Sequence, residues 1–155
     1  MKQKILFILA LLCAMVQGAW ADVTTVYIDG VFTGFTATSG SAGFSGDVNY
    51  DKLVDGSTNT KWRTNSNPFY VEFHSSGLIV PTGYIMTTAD DASSQDFRNP
   101  KSWIIKAKVN AGDEWTTLVT ETNNTSLPAA NTTPVEFSIT NNTKAYQYLD
   151  RKSVV

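Results

Sequence analysis

The sequence predicts an all-β domain built as a sandwich of packed antiparallel sheets. Its apolar residues recur with a period of two, which is the period of a strand with one buried face. Short segments rich in Gly, Asn, Ser and Pro separate these alternating runs. No convincing amphipathic helix follows residue 21, and many short strands without helices are typical of a sandwich or barrel.

Each alternating run has one apolar and one polar face, as expected for antiparallel strands with one side on a core. In chain order, the predicted strands are 69–74, 82–88, 103–109 and 135–139. The predicted turn-rich segments are 75–77, 110–113 and 123–134, and residues 109–115 are predicted as a hairpin. Only residues 49–54 have a sequence that could hold a short helical turn.

The N-terminus has the features of a secretory signal peptide. Two lysines precede an apolar run from Ile5 to Val16, and Ala19-Trp20-Ala21 provides a small-residue cleavage site. The run is shorter than the roughly 20 residues that span a bilayer. We therefore expect residues 1–21 to be removed and the protein to be secreted or displayed at the cell surface.

Composition narrows the class of the mature chain. The single cysteine, Cys13, lies within the expected signal peptide, so an exported domain without disulfides is predicted, which favours a bacterial source. About 130 residues suffice for one domain with its own core. A net charge of −2 with no basic cluster argues against a nucleic-acid partner.

The segment from Asp55 to Trp62 combines an acidic residue, a glycine and several hydroxyls, and it has two interpretations. The oxygens of Asp55, Ser57 and Thr60 could surround Ca²⁺, which takes 6–8 oxygen ligands. Alternatively, Asp55-Gly56 forms a tight turn whose hydroxyls hydrogen-bond the backbone. The sequence of this segment leaves both open.

Four motifs in order resemble the coagulation factor 5/8 type C, or discoidin, domain. They are the "DG…T-x-W" opening at 55–62, a strand at 70–73, an "R-x-P-x-x-W" segment at 98–103 and a "DG..W..L" hairpin at 112–118. The resemblance covers about residues 30–149 and implies a galactose-binding-like jelly-roll β-sandwich. Bacterial members resemble family 32 carbohydrate-binding modules, often attached to secreted glycan-degrading enzymes.

The resemblance also implies a structural Ca²⁺ near the "DG…T" loop. Its ligands here would be the side chains of Asp55 and Thr60, with Ser57 and the Lys52 carbonyl as weaker candidates. The sequence departs from the family after residue 149, where the expected C-terminal strand and its glutamate are missing. We therefore expect one domain over 22–149, an atypical tail over 150–155, and weak or no ion binding.

Sugar recognition needs an exposed aromatic face beside a few polar groups. Two connections that lie towards the ligand end in the family offer such residues: Asp91, Gln95, Phe97, Arg98 and Asn99 from one, and Arg63, Asn65 and Tyr70 from the other. Arg98 has an alternative role as a buttress for its own loop. The three tryptophans of the mature chain, Trp62, Trp103 and Trp115, match family positions that usually pack the core.

Catalytic residues are not evident in this sequence. The lone histidine, His74, has no identifiable orienting partner and is expected on the polar face of a strand. Asp90 and Asp91 are adjacent, so on a strand they would face opposite sides and could not flank one glycosidic bond.

The leading hypothesis is a non-catalytic carbohydrate-binding module that binds a glycan, within a longer parent chain carrying further modules. The alternative is an adhesion domain that binds protein or membrane lipid, with Phe32, Phe35 and Phe44 as apolar loop tips.

Overall fold

A computed structural model describes residues 27–28, 31–32, 35–44, 49–57, 59–95 and 98–154, with side chains from 35 to 151. The expected signal peptide lies outside these residues. The strands are β1 (Tyr27–Ile28), β2 (Val31–Phe32), β3 (Phe35–Gly40), β4 (Phe69–Ile79), β5 (Gly83–Thr87), β6 (Ser102–Lys108), β7 (Thr116–Glu121), β8 (Pro134–Ser138) and β9 (Tyr146–Val154). A 3-10 turn over Tyr50–Leu53 matches the predicted helical turn.

The main sheet has five antiparallel strands in the order β3-β4-β9-β6-β7. Strands β5 and β8 form a separate antiparallel ribbon, and β1 and β2 form a short hairpin pair. Strands β6 and β7 are joined through residues 109–115, which confirms the predicted hairpin. No helix within the described residues has the length and apolar character needed to cross a bilayer.

The core lies between the main sheet and the β5-β8 ribbon. Trp103, Ile105 and Ala107 alternate along β6 and are all buried. The Trp103 ring meets Phe137 of β8 edge-on at 5.3 Å, and its Nε1 donates a hydrogen bond to Tyr84 Oη at 2.8 Å. This hydrogen bond satisfies the one polar atom of the buried indole. The all-β sandwich of packed antiparallel sheets predicted from the sequence is therefore confirmed.

The predicted turn at residues 75–77 is wrong, since β4 continues through it to Ile79. The register between β4 and β9 shifts between His74 and Ile79, so the segment forms an irregularity within the strand. Ser75 Oγ donates to Gly77 O at 2.6 Å and accepts from Gly77 N at 3.3 Å. These local hydrogen bonds explain why a turn-like sequence occurs inside a strand.

The outer face of the main sheet carries an aromatic row that corrects one expectation. His74 of β4 lies there, stacked on Tyr148 of β9 at 4.6 Å. Lys108 Nζ lies 4.4 Å from the centre of the Trp115 ring and 5.5 Å from that of Tyr148. Trp115 is part-exposed beside this lysine, so its predicted core position is wrong, whereas His74 occupies the polar face as predicted.

Strand β9 is the centre of the main sheet, and residues 150–154 extend it between β4 and β6. Arg151 pairs in register with Val71 and Ile105, which are both buried. Because partners in register share a face, the Arg151 side chain is on the core side. A guanidinium is thus inserted among apolar side chains.

Candidate ligand-binding end of the sandwich

Several connections meet at one end of the sandwich, which we call the loop end; it comprises residues 41–44, 59–68, 88–95, 98–101 and 122–133. Registers place strand termini together there: Gly40 beside Val71, Ser102 beside Val154, Trp103 beside Glu121, and Thr87 beside Pro134. The two connections that the sequence analysis proposed for ligand binding are both part of this end. The structure therefore brings them together, although it does not test their contact with a ligand.

A charge network joins those two connections. Lys61 Nζ donates to Asp90 Oδ1 and to Asp91 Oδ2, each at 2.9 Å, and Arg98 Nη1 donates to Asp91 Oδ2 at 3.0 Å. Arg98 thus buttresses its own loop, which is the alternative weighed for it above. No local pattern indicated this role for Lys61, because its partners are about 30 residues away and meet it only in the tertiary fold.

The network sets the ionisation of its members. The hydrogen bonds that Lys61 donates to Asp90 and Asp91 raise the pKa of Lys61 above the usual 10.5. The hydrogen bond from Lys61 lowers the pKa of Asp91 below 3.8, against a smaller opposing effect of burial. Lys61 is thus an ammonium and Asp91 a carboxylate at neutral pH, and a general acid needs the opposite shift of a carboxyl pKa.

An exposed aromatic ring sits beside a guanidinium at the same end. Phe44 is 37% exposed, and the Arg63 Cζ lies 4.5 Å from the centre of its ring. The amide of Phe44 also donates to Arg63 O at 2.7 Å, which holds the two backbones together. The sequence analysis named Phe44 only as an apolar loop tip, and its pairing with Arg63 was not foreseen.

Tyr70 adds a second exposed aromatic side chain at this end. It is 42% exposed, and its backbone is tied to Ser41 in the loop that leads to Phe44. Asn65 is exposed, Gln95 is part-buried, and Asn99 Nδ2 donates to Pro128 O at 3.2 Å. Phe97 lies outside the described residues, so its predicted role is not tested. Phe35 lies in β3, which makes a loop-tip role unsuitable for it.

The Asp55 loop is a hydrogen-bonded turn. Asp55 Oδ1 accepts from Ser57 N at 3.0 Å, and Thr60 Oγ1 donates to both Asp55 oxygens at 3.1 and 2.9 Å. The Ser57 amide is the main reason that the pKa of Asp55 falls below 3.8. Gly56 has a φ of 77°, which only glycine adopts readily.

The fit of Ca²⁺ to this loop is incomplete. It offers one carboxylate and a few neutral oxygens, and the Lys52 ammonium lies 3.8 Å from Asp55 Oδ2. Within the described residues, no group of three or more His, Cys, Asp or Glu side chains could hold a metal ion. Since Ca²⁺ takes 6–8 oxygens, these residues do not complete its shell, and ion binding here stays a prediction.

Comparison with solved structures identifies the fold. A family 32 carbohydrate-binding module, from a family 31 glycoside hydrolase of Clostridium perfringens, matches with a TM-score of 0.60 and 17% identity over 77% of this chain and 78% of that one. Another C. perfringens family 32 module, solved with GalNAc-β-1,3-galactose, gives 0.58 and 13% over 78% and 83%.

An F5/8 type C domain from Bacteroides fragilis gives a TM-score of 0.57 and 19% identity over 79% of this chain and 87% of that one. No protein-family model matches the sequence, and neither does a curated protein. At these identities the comparisons show the fold, which is that of discoidin and family 32 carbohydrate-binding domains. The resemblance read from the four motifs is thereby confirmed.

Proposed function

We propose that this chain is a non-catalytic carbohydrate-binding module of an exported bacterial protein. The observation that carries the proposal is the exposed Phe44 ring beside the Arg63 guanidinium at the loop end, with the exposed Tyr70 near by. A ring face that water reaches can stack on the C–H face of a sugar, while a guanidinium donates to its hydroxyls. The solved neighbours include carbohydrate-binding modules, one of which was solved in complex with GalNAc-β-1,3-galactose.

The framework of the loop end supports recognition without large rearrangement. Lys61 bridges two aspartates, Arg98 holds one of them, and Asn99 is tied to Pro128 O. Loops that are ordered before binding lose less conformational entropy when a ligand arrives. A small exposed site of this kind is expected to bind a single sugar with a Kd on the order of millimolar.

The charges at the loop end favour binding over hydrolysis. The two carboxylates nearest the centre of the network accept hydrogen bonds from one lysine, and Asp91 has a lowered pKa. A glycosidase needs a protonated carboxyl group to donate to the leaving oxygen. His74 is stacked on Tyr148 on the outer sheet face, away from these loops.

The wider proposal includes a parent chain with further modules, which would raise weak binding through multivalency. It also includes export by the signal peptide, whereas Ca²⁺ at the Asp55 loop stays a prediction to be tested, because the described residues do not complete its shell. Galactose-like termini are the first glycans to test, because the sandwich resembles galactose-binding domains.

A glycan array followed by calorimetric titration tests the proposal. Phe44→Ala should weaken binding of the selected glycan about ten-fold or more, because it removes the stacking ring. Leu78→Ala is the matched control: Leu78 is 42% exposed, close to the 37% of Phe44, but lies near the end of β4 opposite to the loop end. If no glycan binds while liposomes or a protein receptor do, the adhesion alternative replaces this proposal. If the two variants weaken glycan binding equally, the site is elsewhere.

A further inference from the structure

A small pocket at the loop end lies outside the Phe44–Arg63 pair. It has a volume of about 170 Å³ and is lined by Asn99, Pro100, Lys101, Asn124, Thr125 and Leu127. Pockets for drug-sized ligands usually hold about 300–1,000 Å³, so this one suits a ligand of a single ring. Only Asn99 among its lining residues was named as a ligand candidate from the sequence.

The two walls of the pocket are braced against each other. The Asn124 amide donates to Lys101 O at 2.7 Å, and Asn99 Nδ2 donates to Pro128 O at 3.2 Å. The floor residue Leu127 packs against the central core cluster. These contacts tie the two walls to each other and the Leu127 side of the pocket to the core.

The pocket combines neutral polar groups with a positive charge. Lys101 is exposed, and among the described residues no acidic side chain pairs with its ammonium. Thr125 contributes a hydroxyl, while Pro100 and Leu127 supply apolar surface. Hydroxyls and amides suit a polyol, apolar surface suits the C–H face of a ring, and an unpaired ammonium suits an anionic substituent.

A carboxylate also lies close to this pocket. Glu121 Oε2 accepts a hydrogen bond from Asn124 Nδ2 at 3.3 Å, and Asn124 Oδ1 accepts from Ser126 N at 2.8 Å. The Asn124 side chain is thus held as a wall of the pocket. Glu121 would repel an anion. Removing its charge should therefore not weaken the binding of an anion, whereas removing the charge of Lys101 should weaken it.

We propose that this pocket is a subsite for one sugar residue that carries an anionic group, of which a hexuronate is the simplest case. The proposal rests on the proposed carbohydrate-binding function and adds to it a ligand class and a second set of contacts. A glycan seated on Phe44 would then be preferred when an acidic residue reaches Lys101.

The test is an NMR titration of the labelled chain with galacturonic acid and, separately, galactose. We expect galacturonic acid to shift the side-chain amides of Asn99 and Asn124, and galactose to shift them much less. Lys101→Met should weaken the binding of galacturonic acid about ten-fold and leave the binding of galactose unchanged. Glu121→Gln should leave binding of the acid unchanged or tighten it, because a repulsive charge is removed.

The control is Lys106→Met, which removes a lysine from the outer side of β6 and should have no effect. Salt at about 0.5 M should weaken the binding of galacturonic acid but not that of galactose, since it screens a charged contact. If galacturonic acid shifts only residues around Phe44, or binds Lys101→Met equally well, the subsite is refuted while carbohydrate binding stands. If neither sugar shifts any residue, the subsite is refuted, and the glycan array decides the proposed function separately.

Discussion

Replacing the buried arginine of β9 should stabilise the protein. The Nε and Nη2 atoms of Arg151 are inaccessible to solvent and have no hydrogen-bond partner, although the residue as a whole keeps some exposure. Its only described ring contact is with Phe69, whose centre lies 5.9 Å from the guanidinium carbon. Burial lowers the pKa of Arg151 to about 10.

The magnitude follows from that shift. A pKa depressed by about 2.5 units corresponds to about 3 kcal/mol of destabilisation of the charged form in the fold, at 1.36 kcal/mol per unit. Arg151→Met removes the charge and keeps a flexible apolar chain, but loses a cation–π contact worth about 0.5–2 kcal/mol. We therefore expect a net gain of about 1–3 kcal/mol at neutral pH.

The assay is urea unfolding of both proteins, with Arg151→Lys as the control that keeps a buried charge. The free energy of unfolding should rise much less for Arg151→Lys than for Arg151→Met. Because the folded-state pKa of Arg151 is depressed, the free-energy cost of its buried charge is fully present below about pH 10 and is relieved as the pH rises further. If Arg151→Met is neutral or destabilising at pH 7, the guanidinium is solvated or paired and the reasoning fails.

Four further predictions concern the Lys61 network, the tryptophans, the Asp55 loop and the N-terminus. Lys61→Met should lower the free energy of unfolding by about 0.5–1 kcal/mol. Urea unfolding should show this difference between about pH 5 and 9. The difference should disappear in acid, where Asp91 becomes protonated and no longer attracts Lys61. Trp103→Ala should cost about 3–5 kcal/mol by the same assay, and Trp115→Ala much less, because only Trp103 is buried. Calcium should raise the melting temperature only if the Asp55 loop binds it, and Asp55→Ala should then abolish the rise; no rise in the wild type leaves the hydrogen-bonded turn. Mass spectrometry of the exported protein should find cleavage after Ala21, and an intact N-terminus would contradict it.

The strands were predictable because their signal is local. Residues 103–109 and 135–139 alternate apolar and polar side chains, and β6 and β8 fall there within one residue at each end. The extension of β4 beyond residue 74 was missed because its serines and glycine are turn formers in isolation. Pairing with β9 resumes at Ile79, and this tertiary contact overrides the local preference.

The candidate site was predictable only in part. The motifs identified which connections belong to one end, but not the partners of their side chains. Lys61 reaches Asp90 and Asp91 across the fold, and Phe44 meets Arg63 because two loops return to the same edge. Trp115 was misassigned because alternation does not say which face a residue beside a hairpin occupies. The contact between Trp115 and Lys108 shows that Trp115 lies on the outer face.

The central claim is that the loop end of this sandwich binds a glycan. Chemical-shift mapping with the best ligand from a glycan array tests it most directly. The account predicts that shifts concentrate on Phe44, Arg63 and Tyr70, and leave Leu78 and the His74–Tyr148 stack unchanged. Shifts confined to the outer face of the main sheet, or none with any glycan, would contradict it.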